Sequence, residues 1–167
     1  MTRTGIALAA IGFGMAGVAA TGLPETDRYG ETYVTYAQVD RPNGTYRRML
    51  VTPGTLAELR PGEPLPDGTR ILMESYYTPG EVGTVFHKQK VAGKWQYGSF
   101  SGAGEERFET RPQASCLSCH ATAAATDFTF TRPSLDAASR HGLSQFTCDR
   151  GGRSPCDPHV YTDGAAR

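Results

Sequence analysis

Cys116-Leu117-Ser118-Cys119-His120 is the stretch of this sequence whose residue types and spacing are best suited to chemistry. A C-x-x-C-H pentapeptide is the attachment signal for a c-type haem. Two thiols three positions apart can each add to a vinyl group on the same haem edge. A histidine directly after the second thiol then has its imidazole under the iron. A C-x-x-C pair on its own also reads as a redox dithiol or as half a zinc site. The dithiol needs a βαβ context, and the zinc site needs a second ligand pair at suitable spacing. The remaining cysteines, Cys148 and Cys156, are spaced C-x7-C and make an unusual zinc partner. The sequence therefore predicts Cys116 and Cys119 as covalent haem attachments and His120 as an axial iron ligand.

The first twenty residues fit that chemistry, because c-type haem is attached after translocation. Arg3 supplies a short positive start, Gly5 to Ala20 is an apolar run, and Val18-Ala19-Ala20 offers small residues for cleavage before Thr21. The apolar run is shorter than the roughly 20 residues a membrane-spanning helix needs. An exported, periplasmic protein is expected, with an uncleaved membrane anchor as the alternative. In that oxidising compartment Cys148 and Cys156 are expected to close a small loop as a disulfide; metal capture with His159 is the other reading.

Seventeen Lys and Arg balance seventeen Asp and Glu. That balance gives no basic surface and no case for a nucleic-acid partner. The chain is long enough for one domain with a core, and its single C-x-x-C-H implies one haem.

The elements that must hold this site are mostly strands. Residues 21–31 read as a linker or extended arm. Thr32–Asp40 has apolar spacing of three to four, which predicts a short helix, with a strand as the alternative. Tyr46–Thr52 reads as a strand, and Thr55–Leu59 as one helical turn. Thr69–Tyr77 alternates Ile71, Met73, Ser75 and Tyr77 against Leu72, Glu74 and Tyr76. Val82–Lys90 and Lys94–Phe100 follow after short turns, so the three form an antiparallel meander. Pro112–Ala125 suits a helix carrying the haem motif, Asp127–Thr131 is extended, and Arg132-Pro133-Ser134 closes that stretch. The expected fold is α+β, mainly β: an antiparallel sheet with a few short helices. The haem domain is assigned to 32–133 and a C-terminal tail to 134–167.

Several blocks together resemble the cytochrome P-460 and cytochrome c-prime-beta superfamily of small exported β-rich mono-haem cytochromes. They are Pro66-Asp67-Gly68-Thr69, Lys94-Trp95-Gln96-Tyr97-Gly98, and Cys116 to Ala121 followed by Asp127-Phe128-Thr129-Phe130-Thr131. In the cytochrome P-460 branch a lysine on the strand after the P-D-G turn is bonded to the haem and supports hydroxylamine oxidation. Here Met73 stands in that place, and a thioether cannot make the bond. Lys88 and Lys90 are on the next strand, where register argues against that role. The resemblance therefore implies the cytochrome c-prime-beta branch, whose five-coordinate haem binds small gases, and a homodimer.

The same resemblance implies an aromatic cap over the haem, for which Phe86, Tyr36 and Tyr76 are candidates alongside Met73 in the pocket. Core packing explains these side chains equally well. Met49 and Met73 are possible thioether ligands, with core packing the simpler role. His87, His141 and His159 read as surface or loop residues. Glu74, Arg47 and Arg48 are the polar groups that can enter the pocket, or else lie on a solvated strand face or pair with haem propionates. Trp95 reads as a core or dimer-interface residue. The expected function is binding of nitric oxide or carbon monoxide. The alternatives are a hydroxylamine- or nitric oxide-oxidising enzyme using Glu74 as proton acceptor, and a six-coordinate electron-transfer cytochrome. Each redox reading also requires a partner protein.

Overall fold

The computed structural model describes residues 22–104 and 106–163. The expected export signal over residues 1–20 lies outside the described residues. Among the described residues no helix is long and apolar enough to cross a membrane.

The fold is mainly β, as the alternating patterns predict. A seven-stranded sheet runs β1 (Glu25–Thr26), β2 (Tyr33–Asp40), β3 (Tyr46–Val51), β4 (Arg70–Thr78), β5 (Glu81–Val91) and β6 (Lys94–Ser101) in sequence order, each antiparallel to the next. The seventh strand, β7 (Ser144–Thr147), pairs parallel with β2. The helices are α1 (Pro53–Glu58), α2 (Ala114–His120), α3 (Arg132–His141) and α4 (His159–Asp163), and a 3-10 stretch over Ala121–Thr126 follows α2 directly.

Thr32–Asp40 forms a strand, not the predicted helix. Its helix-like spacing has a local cause: the β2–β3 register shifts between Thr35 and Ala37. The bulge sends Tyr36 and Ala37 into the same core and breaks the period-two pattern. The aromatic and β-branched residues Tyr33, Val34, Thr35, Tyr36 and Val39 suit a pleated surface with partners on both edges.

The sheet separates two cores. On one face Met49, Ile71, Trp95 and Tyr97 pack with Tyr36 and Val51 and with Leu135, Ala138 and Phe146 from the C-terminal segment. On the other, Leu50, Leu72, Tyr76, Val85 and Phe100 pack with Tyr29 and Tyr33. Cross-strand pairs keep the faces apart: Met49, Met73 and Phe86 are in register, as are Ile71, Lys88 and Tyr97.

The C-terminal segment contributes more structure than its polar composition predicts. Arg132-Pro133-Ser134 opens α3, where Pro133 suits a first helical turn. Leu135 and Ala138 are fully buried. The predicted disulfide is present between Cys148 and Cys156, with Cα atoms 5.9 Å apart. Arg41 holds the loop it closes, donating to the carbonyls of Arg150 (2.7 Å), Gly152 (2.9 Å) and Ser154 (2.6 Å). Cys148 and Cys156 are therefore bonded to each other and not available with His159 as thiolate metal ligands.

Candidate haem-binding site

The haem motif is tied to the sheet at Tyr97. Residues 109–113 return along β6, where Tyr97 and Arg111 exchange backbone hydrogen bonds of 3.0 and 3.1 Å. The Gln113 side chain adds a third, donating to the Tyr97 carbonyl at 3.1 Å. This approach requires a residue without a side chain at position 98. A Cβ there would sit 2.3 Å from the Glu109 carbonyl and 2.5 Å from the His87 ring. Helix α2 starts immediately afterwards, so the position of Cys116, Cys119 and His120 follows from this docking.

Cys116 and Cys119 are free thiols, the first half-buried and the second exposed. Three positions apart on one helix, they lie on the same face. His120 ends α2 with its ring between Tyr97 and Phe130, at centroid distances of 5.2 and 5.3 Å. Its Nδ1–H donates to the Phe128 carbonyl at 2.8 Å, which leaves the Nε2 lone pair for a metal. Burial, helped by nearby Lys88 and opposed by the Phe128 hydrogen bond, pushes the imidazole down to about 4. His120 is thus neutral, as a metal ligand must be. The buried Tyr97 hydroxyl has no hydrogen-bond partner among the described residues. A pair of adjacent free thiols, a neutral imidazole with one nitrogen anchored, and an orphaned hydroxyl nearby together fit a covalently held haem.

The loop behind His120 is a tight turn, not the extended segment expected. Asp127 and Phe128 take φ of 52° and 56° in succession. Asp tolerates the left-handed region, whereas for Phe it costs about 1–2 kcal/mol. Local and long-range bonds compensate. The amides of Asp127 and Phe128 donate to Ala124 and Ala123 at 3.1 and 2.8 Å. The Asp127 carboxylate accepts from Lys90 Nζ (2.8 Å), Leu65 N (2.8 Å) and Trp95 Nε1 (3.3 Å). Lys88 Nζ donates to the Phe128 carbonyl (2.8 Å) and Thr129 Oγ1 (2.6 Å), over the Trp95 ring at 3.9 Å. Burial pushes the Lys88 ammonium down to about 7, with Asp127 opposing that shift.

Lys88 and Lys90 therefore do reach the haem motif's side of the sheet, and they grip the loop beneath His120. Sequence reading set both aside. The available signal was three alternating positions, Phe86, Lys88 and Lys90, on the strand facing the motif. Trp95 is buried in this core beside both lysines.

The other predicted residues divide between the two faces. Met73 is half-buried and, like Cys116, Phe128 and Phe130, packs against this core; Met49 is buried within it. Phe86, in register with Met73, is 38% exposed. Tyr36 is fully buried on this side with its hydroxyl 2.7 Å from Thr131 Oγ1, so it is a core residue and not an open cap. Arg47 is buried here too, and its Nε has no hydrogen-bond partner among the described residues.

Tyr76 does not join them. It belongs to the opposite core, where its hydroxyl donates to Glu74 Oε2 at 2.7 Å and Tyr29 donates to Oε1 at 2.5 Å. Alternation along β4 puts both Glu74 and Tyr76 on the face away from Met73. Arg48 is with them, stacked over the rings of Tyr46 and Tyr76. His87 is a buried strand residue, not the surface or loop residue expected; it also faces away, beside Phe100 and Phe108, with Nε2 donating to the Arg107 carbonyl at 3.1 Å. His141 and His159 are exposed at helix ends.

Residues 81–131, less than half of the chain, match the family model described as Cytochrome P460. No curated protein matches the chain. The matched segment contains β5, β6, the C-x-x-C-H motif and the Phe128 loop, and it is similar to the haem-binding cytochrome P460 family, which bears out the resemblance drawn from the residues.

Proposed function

We propose that this protein is an exported, periplasmic c-type cytochrome that captures nitric oxide or carbon monoxide at one five-coordinate haem. Cys116 and Cys119 would hold the haem through thioethers, and His120 Nε2 would ligate its iron. The bound haem supplies an iron(II) centre to which an uncharged diatomic coordinates. The chain's own contribution is to orient His120 through Phe128 and to wall the site with Tyr97, Phe130, Met73 and Phe86.

One observation carries the choice of binder over enzyme. Glu74, the carboxylate that would accept protons during oxidation of a nitrogenous substrate, lies on the far face of the sheet with both oxygens occupied by tyrosine hydroxyls. Met73 likewise offers no amine for a haem cross-link, and Lys88 Nζ is engaged by Phe128 and Thr129. Lodging a charged intermediate among apolar groups without a proton acceptor is costly.

The test is the optical spectrum of the purified ferrous protein before and after addition of nitric oxide or carbon monoxide. A broad high-spin Soret band that shifts with the gas is expected. Sharp α and β bands indifferent to the gas mean a sixth protein ligand, with Met73 the first to mutate. A strongly red-shifted ferrous band means a lysine-modified haem and returns the enzyme.

A further inference from the structure

Two side chains converge on the carbonyl of Phe128: His120 Nδ1 and Lys88 Nζ, each at 2.8 Å. They come from different directions in the chain, His120 from the end of α2 and Lys88 from the middle of β5. Resting on His120 being the iron ligand, we propose that Lys88 is a positioning residue that sets how strongly His120 donates to the iron by sharing its hydrogen-bond acceptor.

A carbonyl oxygen has two lone pairs, but a second donor on one of them withdraws electron density from the other. The Phe128 carbonyl is therefore a weaker acceptor for Nδ1–H than an unshared carbonyl. A weaker bond leaves the imidazole less imidazolate-like, so Nε2 is a poorer donor to the metal and the ferrous form is favoured. Hydrogen bonding to the second ring nitrogen is a known route by which a protein tunes a metal ligand.

Lys88 is well held for this task. It is 6% exposed, packed over Trp95 at 3.9 Å, and fixed by Thr129 Oγ1 at 2.6 Å. Thr129 is itself buried and donates to the Asp127 carbonyl at 3.0 Å. The left-handed Phe128 backbone aims its carbonyl at both donors, giving the local strain of the loop a use. Solvation of the loop does not require a buried lysine, since a water or a hydroxyl would satisfy the carbonyl at lower cost.

Two variants with opposite expected signs test the assignment, read by resonance Raman of the ferrous iron–histidine stretch and by the midpoint potential. Lys88→Met removes the competing donor; the stretch is expected to rise in frequency and the potential to fall. Thr129→Val leaves Lys88 more fully on the Phe128 carbonyl; the stretch is expected to fall and the potential to rise. The second variant decides the matter if the first fails to fold. Unchanged values in folded, haem-loaded variants, or shifts of the same sign in both, overturn the proposal. A pyridine haemochrome assay on the unmodified protein separates the two readings: absence of haem c defeats the haem site itself, whereas a normal haem content with unmoved Raman and potential defeats only the role of Lys88.

Discussion

The two faces of the sheet both bury ionisable side chains, and they do so with opposite signs and different partners. On the haem-motif side the central buried groups are Lys88 and Lys90, whose side-chain partners belong to a single loop, residues 127–129. On the far side the central buried group is an anion, Glu74, held by Tyr29 and Tyr76, while His87 packs nearby against Phe100 and Phe108. The far cluster is closed on itself and joins β4 to the turn between β1 and β2. The near cluster is directed outward and ties the sheet to the segment that carries the candidate iron ligand. The contrast teaches where function resides: a buried charge that organises a loop below a candidate ligand can tune chemistry, whereas one enclosed by tyrosines on the opposite face contributes to the fold.

The sharpest way to break the comparison is to remove the thiols. Replacing Cys116 and Cys119 together by Ala is expected to abolish covalent haem while leaving the sheet folded, since neither thiol is in the inner core; haem staining after denaturing electrophoresis and circular dichroism read the two parts. Next in size is Asp127→Asn. Asn tolerates the left-handed backbone, so the change removes mainly the charge opposite Lys90. It is expected to cost about 3 kcal/mol by denaturant titration, as for a broken buried pair, and also to disturb the haem spectrum.

Glu74→Gln is the far-face counterpart. It weakens two hydrogen bonds to a carboxylate and is expected to cost about 1.5 kcal/mol while leaving the gas-bound spectrum unchanged. A changed spectrum would show that the two faces are coupled. The smallest effect concerns His87. Burial, assisted by Arg70 and opposed by the Arg107 carbonyl, lowers its proton affinity in the folded state. The unfolded chain therefore binds more protons below about pH 6.5, so the contribution of His87 is present above that pH and drains away as the pH falls through it. His87→Gln is expected to flatten that part of the stability–pH curve.

Much of this was legible in the residues. β4, β5 and β6 were visible because strict alternation and Pro-Gly, Asp-Gly and Ala-Gly turns are local signals. β2 was obscured by a bulge at Thr35/Ala37, which imitates helical spacing. β7 was not legible at all: Ser144–Thr147 is a four-residue polar stretch that becomes a strand only because the edge of β2 offers it unpaired backbone groups. At the site, alternation already separated Met73 from Glu74 and Tyr76. It could not say which side of the sheet would receive α2, so Tyr76 and Glu74 stayed among the pocket candidates.

What the sequence determined by itself is the chemistry that depends on covalent spacing: two thiols and an imidazole within five residues, and a cysteine pair close enough to bridge. Such groups meet wherever the chain goes, because the intervening backbone is short. The tertiary structure alone decided the partners of those groups. His120 finds the Phe128 carbonyl because the chain reverses through two left-handed residues, and Lys88 finds the same oxygen because β5 lies beneath that reversal. Those meetings depend on which face of a sheet a helix covers, and that choice is made by the burial of the whole core, to which no short stretch of sequence gives access.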